Sequence, residues 1–114
     1  MNKDIDITIS QQGDVSIITI KGDVTASTGE AIENAYQDVS SSGTKKILLN
    51  FGPECYINSG GIAALIGVVS ESRKKEQIIR ATGLSEHFQK IFNMVGLTKY
   101  IQIFPSEESA LAGF

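Results

Sequence analysis

Residues Ile5-Asp6-Ile7-Thr8-Ile9 alternate apolar and polar side chains. A period of two predicts a strand with one buried face. Gln11-Gln12-Gly13-Asp14 predicts a turn, and the β-branched run Val15-Ser16-Ile17-Ile18-Thr19-Ile20 predicts a second strand. Together they read as an N-terminal hairpin, ended by Gly22. The spacing then becomes helical, with Ala31, Ile32, Ala35, Tyr36 and Val39 on one face. Ser27-Thr28-Gly29-Glu30 has capping-box spacing with Ser27 as the expected N-cap. Ser40-Ser41-Ser42-Gly43 closes that helix.

Lys46-Ile47-Leu48-Leu49-Asn50-Phe51 predicts a buried strand, continuous rather than alternating. Such a run suits a parallel sheet covered on both faces or nearly so. Gly52 and Pro53 break it. From Gly61 the helical pattern returns, with Ile62, Leu65, Ile66 and Val69 on one face and Ala63, Ala64 and Gly67 making another side small. This helix runs into polar residues 70–77. Ile78-Ile79-Arg80-Ala81 predicts a short strand, ended by Thr82-Gly83. Ser85 caps a third helix with Phe88, Ile91, Phe92 and Val95 as its core stripe, and Gly96 stands where a left-handed cap is wanted. Residues 100–104 predict the last strand, and Ser106 caps a short terminal helix after Pro105.

The order β-β-α-β-α-β-α-β-α implies right-handed crossovers. The expected fold is α/β: one domain over residues 1–114, with a mostly parallel, mixed sheet of four or five strands, an N-terminal hairpin and about four helices. The 114 residues, 41% hydrophobic and 20% charged, are enough for one self-supporting core.

A net charge of −3 argues against a nucleic-acid partner, which calls for a basic face. Arg73, Lys74 and Lys75 form the only basic cluster and read as a solvated helix end that complements the dipole. Cys55 is the single cysteine, so no internal disulfide can form. This fits a reducing, cytoplasmic compartment, with Cys55 as a small buried residue. The N-terminus has no apolar signal core, and no apolar run reaches about 18 residues, so no membrane insertion is expected. No CxxC, HExxH, Walker or EF-hand spacing occurs, so neither metal nor cofactor is expected.

The informative segment is Tyr56-Ile57-Asn58-Ser59-Gly60-Gly61-Ile62. It falls at the start of the second long helix, where the free N–H groups of Gly60, Gly61 and Ile62 favour an anion. A purely structural account makes Asn58 or Ser59 an N-cap and gives the glycines to a tight turn. Two consecutive glycines each cost about 1 kcal/mol of helix propensity relative to alanine. Either a partner approaches the bare backbone, or the loop packs closely there. A phosphate on Ser59 would add about −1.5 to −2 charges where the dipole tolerates them, changing the surface and leaving the fold standing. A nucleophile elbow needs Gly-x-Ser-x-Gly, but Ile57 stands at the first glycine position. His87, the only histidine, falls in a first helical turn and reads as an exposed surface residue. The chain therefore reads as a binding protein and not an enzyme. The outward side of the second helix carries Ala63, Gly67, Ser70 and Lys74, small enough for a partner's close approach or for internal packing.

Three segments resemble the STAS domain family, and within it the stand-alone anti-sigma factor antagonists. Lys21-Gly22-Asp23-Val24 is similar to the family's Gly-x-hydrophobic segment before the first helix. Ile57-Asn58-Ser59-Gly60-Gly61-Ile62 resembles its Asp-Ser-Ser-Gly-Leu segment, with Asn58 in place of aspartate and Gly60 in place of the second serine. Phe92-Asn93-Met94-Val95-Gly96-Leu97 resembles its Phe-x-x-x-Gly-Leu helix ending. The resemblance implies that Ser59 is the phosphorylation site. It implies an anti-sigma factor that is also a serine kinase as partner, and a metal-dependent PP2C-type phosphatase that resets the switch. The partner face is then expected to hold Asp23, Val24, Thr25, Asn58, Ser59, Gly60, Gly61 and Ala63. The alternative is a non-phosphorylated STAS scaffold, or a soluble subunit of a transport or multi-protein signalling complex.

Overall fold

The computed structural model describes residues 5–52 and 55–114. Strand β1 (Ile5–Gln12) and strand β2 (Val15–Gly22) form the antiparallel hairpin, turning at Gly13-Asp14 with Gly13 at φ 61°. The strands continue further than the alternation suggested, so Gln11 and Gln12 pair with Ser16 and Val15. Helix α1 (Ala26–Ser41), strand β3 (Lys46–Phe51), helix α2 (Ser59–Lys74), strand β4 (Ile78–Thr82), helix α3 (Glu86–Met94), strand β5 (Ile101–Phe104) and helix α4 (Glu107–Leu111) follow. The sheet order is β1-β2-β3-β4-β5, with every pair after the first parallel. The expected break at Gly52-Pro53 lies partly outside the described residues, at Pro53. Likewise, Met1–Asp4 of the expected leaderless start are not described.

Strand alternation sorts the core into two layers. Ile18, Ile20, Ile47, Leu49, Phe51, Ile79, Ala81 and Ile101 meet the apolar stripes of α1, α2 and α3 on one face. Val15, Ile17 and Leu48 meet Ala110 of α4 on the other, with Phe104, Leu111 and Phe114 around them. β3 is thus covered on both sides, which is why its apolar run is unbroken. Arg80 holds the tail on this second face. Its guanidinium lies between the Phe104 and Phe114 rings, 4.8 and 4.4 Å from their centroids. It donates to the carbonyls of Ala110, Ala112 and Gly113 at 2.9, 3.0 and 3.3 Å.

Two local expectations change. The N-cap of α1 is Thr25, not Ser27. Thr25 and Thr28 form a reciprocal capping box, and the Thr28 hydroxyl also donates to the Asp23 carbonyl at 2.6 Å. That third bond ties the cap to the preceding loop. Val95 is 46% exposed because α3 stops at Met94 and Gly96 turns the chain at φ 85°; Leu97 takes the buried place instead. Ser85 and Ser106 cap α3 and α4 as their spacing predicts. The basic cluster is absorbed locally: Lys74 pairs with Glu71 at 3.2 Å, Lys75 donates to Ser40 Oγ at 2.9 Å, and Arg73 stacks on Tyr100.

Candidate partner-binding site

β2, β3 and β4 run parallel, and each leads into a helix. Their carboxyl ends therefore bring the N-caps of α1, α2 and α3, namely Thr25, Asn58 and Ser85, to one edge of the sheet. In open α/β sheets this is the edge where binding sites are built.

Ser59 is the first residue of α2, and it is exposed. Asn58 is the N-cap: its side chain accepts from the Gly61 amide at 3.0 Å, and its carbonyl accepts from Ile62 at 2.9 Å. The amides of Ser59 and Gly60 take no acceptor among the described residues. They are free to meet an anion, as helix N-termini do.

The segment leading to Ser59 is pinned. Val24 and Ile57 form an isolated parallel bridge. The Val24 amide donates to the Tyr56 carbonyl at 2.7 Å, and the Asn58 amide donates to the Val24 carbonyl at 3.0 Å. Both Val24 and Ile57 are buried. The glycines answer to the same crossing. A methyl group on Gly61 would overlap the Val24 carbonyl, and one on Gly60 would lie 2.7 Å from the Ala26 nitrogen. The two readings left open by the glycine pair resolve in favour of close loop packing.

This corrects part of the expected partner face. The Val24 side chain is fully buried and Gly61 is buried, so neither offers a side chain to another molecule. They position the loop. Asp23, Ser59 and Ala63 are exposed, while Thr25, Asn58 and Gly60 are half-buried beside them. The outward side of α2 is open at Ala63, Ser70 and Lys74. Internal packing of this helix instead uses Ala64, whose Cβ would come within 2.6 Å of a methyl group on Gly29 of α1.

Tyr56 heads the informative segment, but the sequence reading gave it no role. It is 54% exposed and meets Phe88 edge-on at 5.9 Å, and Phe88 in turn meets His87 at 4.9 Å. The signal was present in the alternation Cys55-Tyr56-Ile57, whose outer members are buried. Burial pushes the Cys55 thiol up to about 11, with the Asp23 charge adding to the shift. At neutral pH it is therefore not a thiolate nucleophile. Among the described residues, no group of His, Cys, Asp and Glu side chains is arranged to hold a metal ion. No helix among them is long and apolar enough to cross a membrane.

The STAS domain family profile matches residues 6–110, which run from β1 through β5 into α4 and include α1, α2 and α3. The chain belongs to the STAS domain family. This STAS domain is 22% identical over 108 residues to BtrV of Bordetella bronchiseptica, a candidate anti-sigma factor antagonist, covering 95% of this chain and 93% of that protein. An anti-sigma factor antagonist from Mycobacterium paratuberculosis has a solved structure that superposes with a TM-score of 0.80 at 18% identity, over 94% of this chain and 91% of that one. The phosphorylated form of SpoIIAA from Bacillus superposes with a TM-score of 0.65 at 16% identity, over 91% and 96%. At such identities the superpositions show a shared STAS fold, with the same mixed sheet, N-terminal hairpin and four helices.

Proposed function

We propose that this STAS domain is an anti-sigma factor antagonist: it binds an anti-sigma factor that is also a serine kinase, and phosphorylation of Ser59 ends the interaction. One observation carries the reading. Ser59 presents an exposed hydroxyl at the first position of a capped helix, on a segment pinned to the core by Val24. The described character of BtrV and of the Mycobacterium paratuberculosis protein supports it. So does phosphate chemistry. A dianion on Ser59 is tolerated by the helix dipole, so the free domain keeps its fold. In a docked complex the same dianion loses water and meets whatever faces it, at a cost of several kcal/mol if unpaired. The domain then acts as a binding surface in the cytoplasm and performs no catalysis itself. A PP2C-type phosphatase removes the group and restores binding.

The test is to incubate the protein with ATP and each serine-kinase anti-sigma factor encoded by its source organism, then to record intact mass. A gain of about 80 Da placed on Ser59, with loss of the complex, is the expected result. An unmodified Ser59 in a stable complex would instead establish the scaffold reading, which the uncharged Asn58 and the hydroxyl-free Gly60 favour.

A further inference from the structure

Ser59, Ala63, Ile66, Ser70 and Arg73 recur at steps of four and three along α2, so they share one face, and all five are exposed. Midway along that face the stripe turns apolar and borders a cleft between α2 and the end of α3. The cleft has a volume of about 180 Å³ and is lined by Ile66, Val69, Arg73, Val95, Leu97 and Tyr100, among others. Ile66, Val95 and Tyr100 are each 46% exposed, and neighbouring Met94 is 82% exposed. The described residues include only three other large exposed hydrophobics, Ile9, Tyr56 and Ile78. Clustering of this kind marks an interaction site, whereas scattered apolar residues do not.

The charge at the cleft has one sign. Arg73 is the only charged lining residue, and its guanidinium lies 4.4 Å above the Tyr100 ring. The ion pairs among the described residues are Lys46 with Asp14 and Lys74 with Glu71, so Arg73 has no carboxylate partner among them. Lys99 is exposed next to Tyr100. The volume suits a single large side chain, because sites for whole small molecules run to about 300–1,000 Å³.

We infer that this cleft is a second anchor for the partner that meets Ser59. An amphipathic helix of the partner lies along α2, seats one aliphatic or aromatic side chain between Ile66, Val95 and Tyr100, and places a carboxylate on Arg73. The inference rests on the reading of Ser59 as a partner contact. At about 1.5 Å per residue, Arg73 lies roughly 21 Å along the helix from Ser59, so a partner helix of about four turns reaches both. Ile66 is roughly 10 Å from Ser59 on the same scale, beyond the Debye length of about 8 Å at physiological salt. The anchor therefore holds nearly the same grip whether or not Ser59 carries a phosphate. The anchor alone does not hold the complex once the contact at Ser59 is lost.

The experiment places a photoreactive amino acid at position 63 in one variant and at position 66 in another, in cells, and identifies what each captures. The inference expects the same protein from both, with the position-66 link mapping to a helix that bears a carboxylate. With that protein purified, Ile66→Lys and Arg73→Glu should each raise Kd at least tenfold in proteins that still unfold in a single cooperative thermal transition. Changing the mapped carboxylate to lysine should restore binding to Arg73→Glu. Capture at position 66 of a second copy of this chain, of lipid, or of nothing overturns the anchor, as does a wild-type Kd for both cleft variants. If the cleft variants weaken binding and Ser59→Asp does not, the anchor stands and the switch at Ser59 falls. If neither position captures a protein, both fall.

Discussion

Gly61 lies so close to Val24 that a methyl group on it would overlap the Val24 carbonyl oxygen, the atom that accepts the Asn58 amide at 3.0 Å. Gly61→Ala must push these two loops apart. Overpacking of this kind costs about 1–3 kcal/mol. Gly67 lies on the same helix, but a methyl group there meets only the flexible end of Glu33, at 3.3 Å. Gly67→Ala should be neutral or should stabilise by up to about 1 kcal/mol through helix propensity. The urea midpoint should fall for Gly61→Ala and hold or rise for Gly67→Ala; equal midpoints would refute the packing account of the glycine pair.

Asn58 is expected to matter for stability before it matters for recognition. Asn58→Ala removes the acceptor of the Gly61 amide and should cost about 1 kcal/mol. Asn58→Asp keeps the cap and adds a charge that the helix start favours, so it should be at least as stable as wild type. A denaturant midpoint that ranks Asp below Ala would remove Asn58 from the capping role.

Substitution of Ser59 should separate folding from binding. Ser59→Ala should unfold within about 0.5 kcal/mol of wild type, since the side chain is exposed and makes no hydrogen bond to another described residue. It should hold its partner and resist kinase shut-off. Ser59→Asp should gain about 0.3–1 kcal/mol from the helix dipole and yet bind weakly. Calorimetry reads both quantities on one sample. A Ser59→Asp protein that binds as tightly as wild type ends the switch proposal.

Cys55 gives the alkaline limb of the stability curve. Burial, and secondarily Asp23, raises its pKa from 9.0 to about 11 in the folded chain. The native state then holds its proton while the unfolded chain has already lost it. The contribution is fully present below pH 9.0 and is lost as pH rises toward about 11. Tyr36, raised chiefly by its own burial, adds to the fall at higher pH. Comparing wild type with Cys55→Ala at about pH 8 and about pH 10 isolates the thiol. The variant should lose less stability over that interval, and an identical loss would contradict the shift.

Order and topology were legible because the apolar period changes cleanly from two to helical and back. The run at Ile47-Leu48-Leu49 even announces that β3 is covered on both sides. What the chain does not show locally is which capping residue the fold selects. Ser27-x-x-Glu30 reads as the cap, yet the fold takes Thr25, whose partner Thr28 also reaches the Asp23 carbonyl through its hydroxyl. The glycine pair is similar: its cause lies in Val24 and Ala26, more than thirty residues earlier in the chain. Arg80 shows the same limit. Within Ile78-Ile79-Arg80-Ala81 it looks like a solvent-facing strand residue, yet it holds down a tail that follows it by thirty residues.

The bridge between Val24 and Ile57 has a consequence for timing and affinity. A recognition loop that is loose in the free state must be ordered on docking, and that loss of freedom subtracts from the binding energy. Here the ordering is completed during folding, because the Val24 and Asn58 amides are already spent on the opposite strand of the bridge. Encounter with another protein therefore begins from a shape that is already set, and on the proposed reading of Ser59 as a switch a phosphate there would be met where it stands, with no rearrangement carrying it elsewhere.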